Sequence, residues 1–481
     1  MSPRAGDAAR ARPGGTAARP GVTAPVTGGD GLGQVTALLS PPGQELLARV
    51  AAGRAAGEPP LALATRLRRD YPADLVAAAT AQDELRRAGA AKFSRAGRML
   101  FTRPGLEQAS SETAARHRAC RFAEATAGRL ADLGCGIGGD LIALAAGREV
   151  LAVDLDEVHL RMAAHNAGVY DVAAGVRTGQ ADVRDVGLNG IGAVFADPAR
   201  RLPGAAAGGA GPGRAGSRRA GGRRLRPGDS EPPLDWCFAL TSQVPAVAVK
   251  AAPGLPAGIV PPGWETEFVA DGRDLKEAVL WSPALATARV RATILPEGHT
   301  LLPGPGEEPG QVPGQEPGPY TGEEPGTYAG KYAGKYAGAE AGKKPGQRAA
   351  DKVPVAPPGA FLFDPNPAVT RAGLVETLAR QIGAWKIDPR IAFLSSDSAQ
   401  STPFARTLRV AESAPWNEKD FGRRLRALGI GAADLRRRGL AGDVDQIHRR
   451  LKLAGPHRAT LVLTRVNDRP WGLICMDPSQ C

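Results

Sequence analysis

Cysteine is scarce in this chain, and what there is does not pair. Cys120, Cys135, Cys237, Cys475 and Cys481 are scattered, with no CxxC among them. That excludes a disulfide framework and a cysteine zinc site, and it predicts a reducing compartment. No apolar run reaches the roughly 18 residues of a membrane span, so no membrane segment is expected. The start, MSPRAGDAARARPGGTAARPG, has arginines but no apolar stretch, and it reads as a tail rather than a signal peptide. Acid is also in deficit: 61 Lys and Arg against 49 Asp and Glu leave a net charge of +12. Such a balance suits a polyanionic partner such as RNA or DNA, or simply a solvated basic surface.

What is abundant is glycine and proline, with 62 and 42 residues that cluster. Residues 1–30 read as a disordered tail. Residues 202–230, LPGAAAGGAGPGRAGSRRAGGRRLRPGDS, read as a basic low-complexity insert, and 301–355 as a flexible linker built around repeats such as YAGKYAG. The remainder divides into three regions. Residues 31–114 carry apolar positions at helical spacing, with Pro72 at a helix start or break. Residues 115–300 alternate strand and helix. RLADLG, EVLAVDLD, GVRTGQAD, IGAVFADP and AVAVKAAPG are strands, and WETEFVADG, KEAVLWS and ARVRATIL complete the sheet. Residues 356–481 return to ordinary composition as a small α/β domain, with DFGRRLRALGIG and DQIHRRLKLAG as basic helices and ATLVLTRV and PWGLICM as strands. The fold class is α/β, a doubly wound parallel sheet with a helical N-terminal region and a small C-terminal α/β domain.

The chemistry is concentrated in LADLGCGIGGDLIALA, residues 130–145. Gly134, Gly136 and Gly139 satisfy G-x-G-x-x-G, the spacing of a dinucleotide loop. A pyrophosphate, however, needs bare backbone N–H groups, and Asp132 stands two residues before the first glycine. S-adenosylmethionine has no phosphate; it offers a sulfonium, an amino group and ribose hydroxyls, all suited to carboxylates. Four aspartates fall at successive strand ends, where an open α/β sheet binds its ligand. Asp132 would face the amino group, and Asp154 would take both ribose hydroxyls. Asp182 would accept from the adenine amine, and Asp197 would lie beside the methyl.

DLGCGIGG, VLAVDLDEVHLRMAAHN, GQADVRD and VFADPARR resemble the successive motifs of class I S-adenosylmethionine-dependent methyltransferases. The resemblance implies a Rossmann-like sheet and S-adenosyl-L-methionine as cofactor. Asp132, Gly134, Gly136, Gly138, Asp154 and Asp182 would bind it. Residues from PWNEKDFGRRLRALGIGAADLRRRG through ATLVLTRV resemble the THUMP-like domain appended to some bacterial methyltransferases, which by analogy implies an RNA partner.

Asp197, Pro198 and Arg200 are the candidate catalytic residues. The Asp197 carboxylate and the Pro198 carbonyl would hold a base nitrogen. Amino-methylating relatives carry Asp-Pro-Pro-aromatic, whereas this chain has Asp197-Pro198-Ala199-Arg200, so Arg200 or Arg201 would stack on the base or pair with a phosphate. Asp-Pro-Ala-Arg also resembles the fourth motif of RNA uridine C5-methyltransferases, but their Ser-Cys-Asn-Pro segment is absent. Cys135 is expected to pack the loop, Asp140 to stabilise a helix start, and His159 and His165 to lie on a helix surface. Lys250 ends the fifth strand, structural or meeting a substrate phosphate. Arg436, Arg437 and Arg438 form either a solvated face or a nucleic-acid contact. The expectation is a cytoplasmic S-adenosylmethionine-dependent methyltransferase that modifies a base in RNA. The alternatives are a nucleic-acid-binding protein with an inactive methyltransferase fold, an NAD-dependent oxidoreductase, and a methylase of proteins or small molecules.

Overall fold

The structure, a computed structural model, describes residues 28–126, 128–200, 230–256, 258–305, 307, 352–440, 444–451 and 453–477. Most of the tail expected over 1–30, the insert over 202–230 and the repeats beyond 307 lie outside the described residues. Two compact units divide at Asp83 and Glu84. None of the described helices is long and apolar enough to cross a membrane.

The first unit is helical: α1 (Gly28–Leu39), α2 (Pro41–Ala55), α3 (Pro60–Leu67) and the start of α4 (Ala73–Gly89). The structure places a helix start at Gly28, inside the expected tail. Ser40 caps α2 by accepting from Gly43 N, with Pro41 at the first helical position, where its missing N–H costs nothing. Glycines set the crossings. A Cβ on Gly43 would meet the α1 backbone, and one on Gly53 would lie 2.5 Å from Leu63 of α3. Pro72 precedes α4 and so marks a start, not a break.

The second unit opens with α5 (Arg103–Gln108) and α6 (Glu112–Ala125). The chain then lays down β1 (Leu130–Leu133), α7 (Leu141–Leu144), β2 (Val150–Asp154), α8 (Glu157–Val169), β3 (Val176–Gln180), β4 (Ala193–Ala196), β5 (Ala199–Arg200), β6 (Ser230–Glu231), α9 (Leu234–Ala239) and β7 (Ala246–Ala251). β8 (Glu265–Asp271), β9 (Asp274–Trp281), β10 (Val290–Leu295) and β11 (His299–Leu301) follow. Nine of these strands form one sheet in the order β11-β10-β8-β9-β7-β4-β1-β2-β3. β3, β2, β1, β4 and β7 run parallel, and β9 is antiparallel to both its neighbours. β1 and β4 are buried along their whole length, which is why they read as short apolar runs rather than alternating ones. The chain order reverses between β1 and β4, and that is where such sheets open a crevice at their carboxyl edge.

The C-terminal part contains β12 (Phe361–Pro365), α10 (Pro367–Arg371), α11 (Val375–Ile382), β13 (Trp385–Lys386), β14 (Leu394–Ser396) and β15 (Ala405–Pro415). α12 (Glu418–Ala427), β16 (Ile430–Arg437), α13 (Val444–Leu451), β17 (His457–Val466) and β18 (Arg469–Met476) complete it. Seven strands pair in the order β13-β14-β12-β15-β18-β17-β16. Phe421, Leu425 and Leu451 of the two basic helices pack on Leu461, Leu463 and Ile474. β13, β14, β15 and β16 escape the sequence pattern, the first two because they are only two and three residues long. β15 carries a bulge between Val410 and Glu412 that breaks its alternation. β16 is an edge strand with few apolar residues, running parallel to β17.

The two sheets share one core: Val247, Val249, Phe268 and Leu280 from the first sheet pack in one cluster with Phe363 and Leu394 of the second and with Val369 and Leu378 of α10 and α11. The seam is also polar. Asn366 donates to Gly272 O, Arg273 pairs with Asp364 at 2.7 Å, and Arg371 donates to Pro253 O and Leu255 O. The expected linker over 301–355 is accordingly anchored at both ends. Leu301 pairs with Ala292, Glu307 accepts from Thr377 and Arg380, and Val353 is buried.

Gly472 sits under the Phe421 ring, and a Cβ there would lie 2.5–2.9 Å from three ring atoms that have no room to retreat. Gly472→Ala is expected to cost about 1–3 kcal/mol through overpacking, read by urea denaturation.

Candidate active site

Strand register assembles the site. Leu133 of β1 pairs with Val153 of β2 and Ala196 of β4, and Ala196 pairs with Val249 of β7. The residues beside or beyond these pairs (Asp132, Gly134, Asp154, Asp197 and Lys250) therefore share one edge. Asp154 pairs with Gln180 of β3, so Asp182 follows at the same edge.

The glycine loop is held from β2. Gly134 N and Cys135 N both donate to Val153 O, and Gly136 N donates to Asp154 Oδ2 at 2.8 Å. Asp154 Oδ1 accepts from Asp156 N at 2.9 Å. Each carboxylate oxygen thus keeps a further lone pair. Gly134 and Gly138 have φ of +85° and +87°, where a side chain is strained. Gly134 also has no room: a Cβ would lie 2.9 Å from the Asp197 carbonyl oxygen.

Behind the loop lies a buried charge cluster. Arg118 of α6 is fully buried; its guanidinium binds Asp140 and Glu277 of β9, and lies 5.4 Å from the Phe195 ring centre. Asp140 stands at the start of α7, as expected, but its carboxylate makes no side-chain cap there and is engaged by Arg118. Lys250 Nζ lies 2.7 Å from Asp197 Oδ2. Asp132 is 1 % exposed, and neither carboxylate oxygen has a hydrogen-bond partner among the described residues. Burial, then Asp140, Asp197 and Asp154, push its carboxyl well above the usual range, against the pull of Arg118.

The other expected residues are placed as follows. Asp182 caps a single turn and pairs with Arg184, whose hydrogen bonds draw its pKa down to about 2. Ala199 and Arg200 form β5, paired with β6, while the Arg200 side chain and Arg201 lie outside the described residues. Cys135 is buried in the loop, and burial pushes its thiol up. Burial likewise lifts Cys237 to about 12, so neither is a ready nucleophile. His165 is half-buried against Arg98 O, and His159 lies 3.2 Å from Thr102 Oγ1, so neither stands free on a surface. Arg436 and Arg437 are exposed on β16, and Arg436 pairs with Asp434. Arg438 is committed to the fold: it pairs with Asp364, donates to Ala392 O and covers the Phe393 ring. A separate cleft of about 770 Å³ opens beside β16, lined by Arg406, Asp434, His448, Arg449, Arg458 and Asp477.

Arg118 and Glu277 escaped the sequence reading. The signal was present for Arg118: it stands four residues from both Ala114 and Phe122, on the buried stripe of α6. Glu277 interrupts an otherwise apolar strand end.

The cluster decides between ligands. Four carboxylates, Asp132, Asp140, Asp197 and Glu277, face two cations, Arg118 and Lys250. Such a crevice repels a pyrophosphate and fits a ligand carrying a sulfonium and an ammonium. This is a Rossmann-like methyltransferase fold with S-adenosylmethionine as its cofactor. Comparison with known proteins agrees. Residues 127–199 match the RNA cap guanine-N2 methyltransferase family, 405–477 the THUMP domain-like family, and 30–89 a domain of unknown function. An uncharacterized S-adenosylmethionine-dependent methyltransferase of Mycobacterium tuberculosis, known in strains H37Rv and CDC 1551, is 31% identical over 380 residues. The match spans 76% of this chain and 85% of the relative. A crystal structure of a Porphyromonas gingivalis W83 protein described as a methyltransferase shares the fold, with a TM-score of 0.62 and 18% identity, over 90% of this chain and 98% of that one. The chain belongs to the S-adenosylmethionine-dependent methyltransferase family of its mycobacterial relatives and carries a C-terminal THUMP-like domain.

Asp132 yields a pH prediction. An acid whose folded pKa is raised holds its proton after the unfolded chain has released it. Ligand-free stability therefore falls as pH rises above about 4, the unfolded aspartate value. In Asp132→Asn this contribution is absent, so urea denaturation at pH 5 and pH 8 is expected to show a smaller fall than in wild type. An equal fall would remove Asp132 as the unpaired buried acid.

Proposed function

We propose that the protein transfers the methyl group of S-adenosylmethionine to a base in RNA. Support for the substrate comes from the match of residues 127–199 to an RNA cap methyltransferase family, from the THUMP-like domain, and from the net charge of +12. The observation that carries the reading is the Asp197-Pro198 pair just past β4, with Asp197 bound by Lys250 at the carboxyl edge of the sheet. Bound S-adenosylmethionine supplies an electrophilic methyl. Asp132 serves the amino group of the cofactor, Asp154 its ribose hydroxyls and Asp182 its adenine amine. The glycines let the loop approach closely. The Asp197 carboxylate and the Pro198 carbonyl accept from the substrate nitrogen and aim its lone pair, so the main contributions are alignment and water exclusion.

RNA approaches along the basic side of the THUMP-like domain. Arg436 and Arg437 supply phosphate contacts there, beside the 770 Å³ cleft and its arginines. Arg438, held inside, positions β16 instead.

Calorimetry is expected to show S-adenosylmethionine binding that weakens about tenfold or more in Asp154→Asn. A tritiated-methyl assay on total RNA is expected to label RNA, with turnover lost by about 10²-fold or more in Asp197→Ala. Label confined to protein, or undiminished turnover in the variant, would overturn the reading. For RNA binding, Arg436→Ala is expected to lower the slope of log affinity against log salt by about one.

A further inference from the structure

We propose that Lys250 is a positioning residue for methyl transfer, holding Asp197 ionised with one carboxylate oxygen engaged and the other left to the substrate. Strand alternation puts the parts on one face of the sheet. Phe195 and Asp197 extend β4, Ala246, Ala248 and Lys250 lie on β7, and Glu277 and Val279 on β9, with Lys250 directly opposite Val279. Nζ of Lys250 lies 2.7 Å from Asp197 Oδ2, while Oδ1 has no hydrogen-bond partner among the described residues. The Lys250 side chain is 16% exposed and that of Asp197 30% exposed, so water screens the pair poorly.

The surroundings make Lys250 the group on which Asp197 depends. Asp132, Asp140 and Glu277 all act on Asp197, and each disfavours its charge. Arg118 favours it but is bound to Asp140 and Glu277. Lys250 and Lys276 both act on Lys92, and among the described residues neither Lys92 nor Lys276 makes an ion pair with Asp197. Burial holds the Asp197 carboxyl above its ordinary range, and the Lys250 ammonium, 2.7 Å away, is the largest influence pulling it back. Lys250 is itself buried, yet Asp197, Asp140 and Glu277 hold it protonated. It therefore supplies charge and takes no proton. Removing its charge leaves Asp197 among three acids, and a protonated Asp197 cannot accept from a substrate N–H. The inference rests on the assignment of Asp197 to methyl transfer.

The test reads Asp197 without any substrate. The full chain is labelled with [γ-¹³C]aspartate, and Asp197→Asn identifies the resonance. In Lys250→Met the Asp197 midpoint is expected to rise by about one pH unit or more, a tenfold change in proton concentration. Lys250→Arg, which keeps the charge, is expected to return it most of the way. S-adenosylmethionine affinity measured by calorimetry is expected to stay within about threefold in both variants, which separates this role from loss of the fold. The acid limb of RNA methylation should move with the midpoint in Lys250→Met. An Asp197 midpoint unmoved in Lys250→Met overturns the proposal, and so does a shifted midpoint with an unmoved acid limb. If RNA is not the substrate, wild type labels no RNA while the resonance still shifts, so the two failures are distinguishable.

Discussion

A buried guanidinium holds the catalytic edge together. Arg118 reaches from α6 to Asp140, where the glycine loop becomes α7, and to Glu277 on the antiparallel strand β9. Three elements distant in sequence are tied through one planar group with donors in a fixed fork. Taken out of water, the three charges cost a great deal individually, and they persist because they are mutually satisfied. They also set the electrostatics around them. With Arg118 committed, Asp197 relies on Lys250, and Asp132 makes no ion pair among the described residues. The crevice is acid-rich because its basic residues are already spoken for.

Much of this was legible because, in an open α/β sheet, the residues at the carboxyl ends of the strands face the crevice. Asp154 and Asp197 stand where an apolar run stops, Asp132 one residue before β1 ends and Asp182 two residues past the polar strand β3, and the register brings all four to that edge. Reading each strand end alone, however, hides what lies across the sheet. Lys250 and Asp197 are 53 residues apart, and Arg118 and Glu277 are 159 apart. Only strand order makes them neighbours. The same limit applies to Asp182, whose nearest claimant, Arg184, is two residues away. A local ion pair of that kind is readable in principle from DVRD, but short-range pairing competes with ligand binding in a way that spacing does not rank.

The C-terminal sheet was harder to read than the Rossmann-like one. Parallel strands buried on both faces announce themselves as apolar runs. β15 and β16 do neither that nor alternate cleanly, one because of a bulge and the other because it forms an edge. The arginine triplet shows the consequence. Read as a run, Arg436 to Arg438 look equivalent. Once β16 is a strand that ends at Arg437, the third arginine turns inward to Asp364 and Phe393.

The seam between the sheets has a consequence for how the molecule can evolve. Val249 and Phe268 bury themselves against Phe363 and Leu378 in one continuous apolar cluster, and Arg371 ties down the carbonyls just past β7. An appended module joined by a tether can be exchanged for another without disturbing its host. This one cannot. Its loss would open the methyltransferase core to water and release the segment that follows Lys250. The methyltransferase half and its THUMP-like partner therefore pack as a single piece, and a change of volume on one side of the seam has to be met on the other.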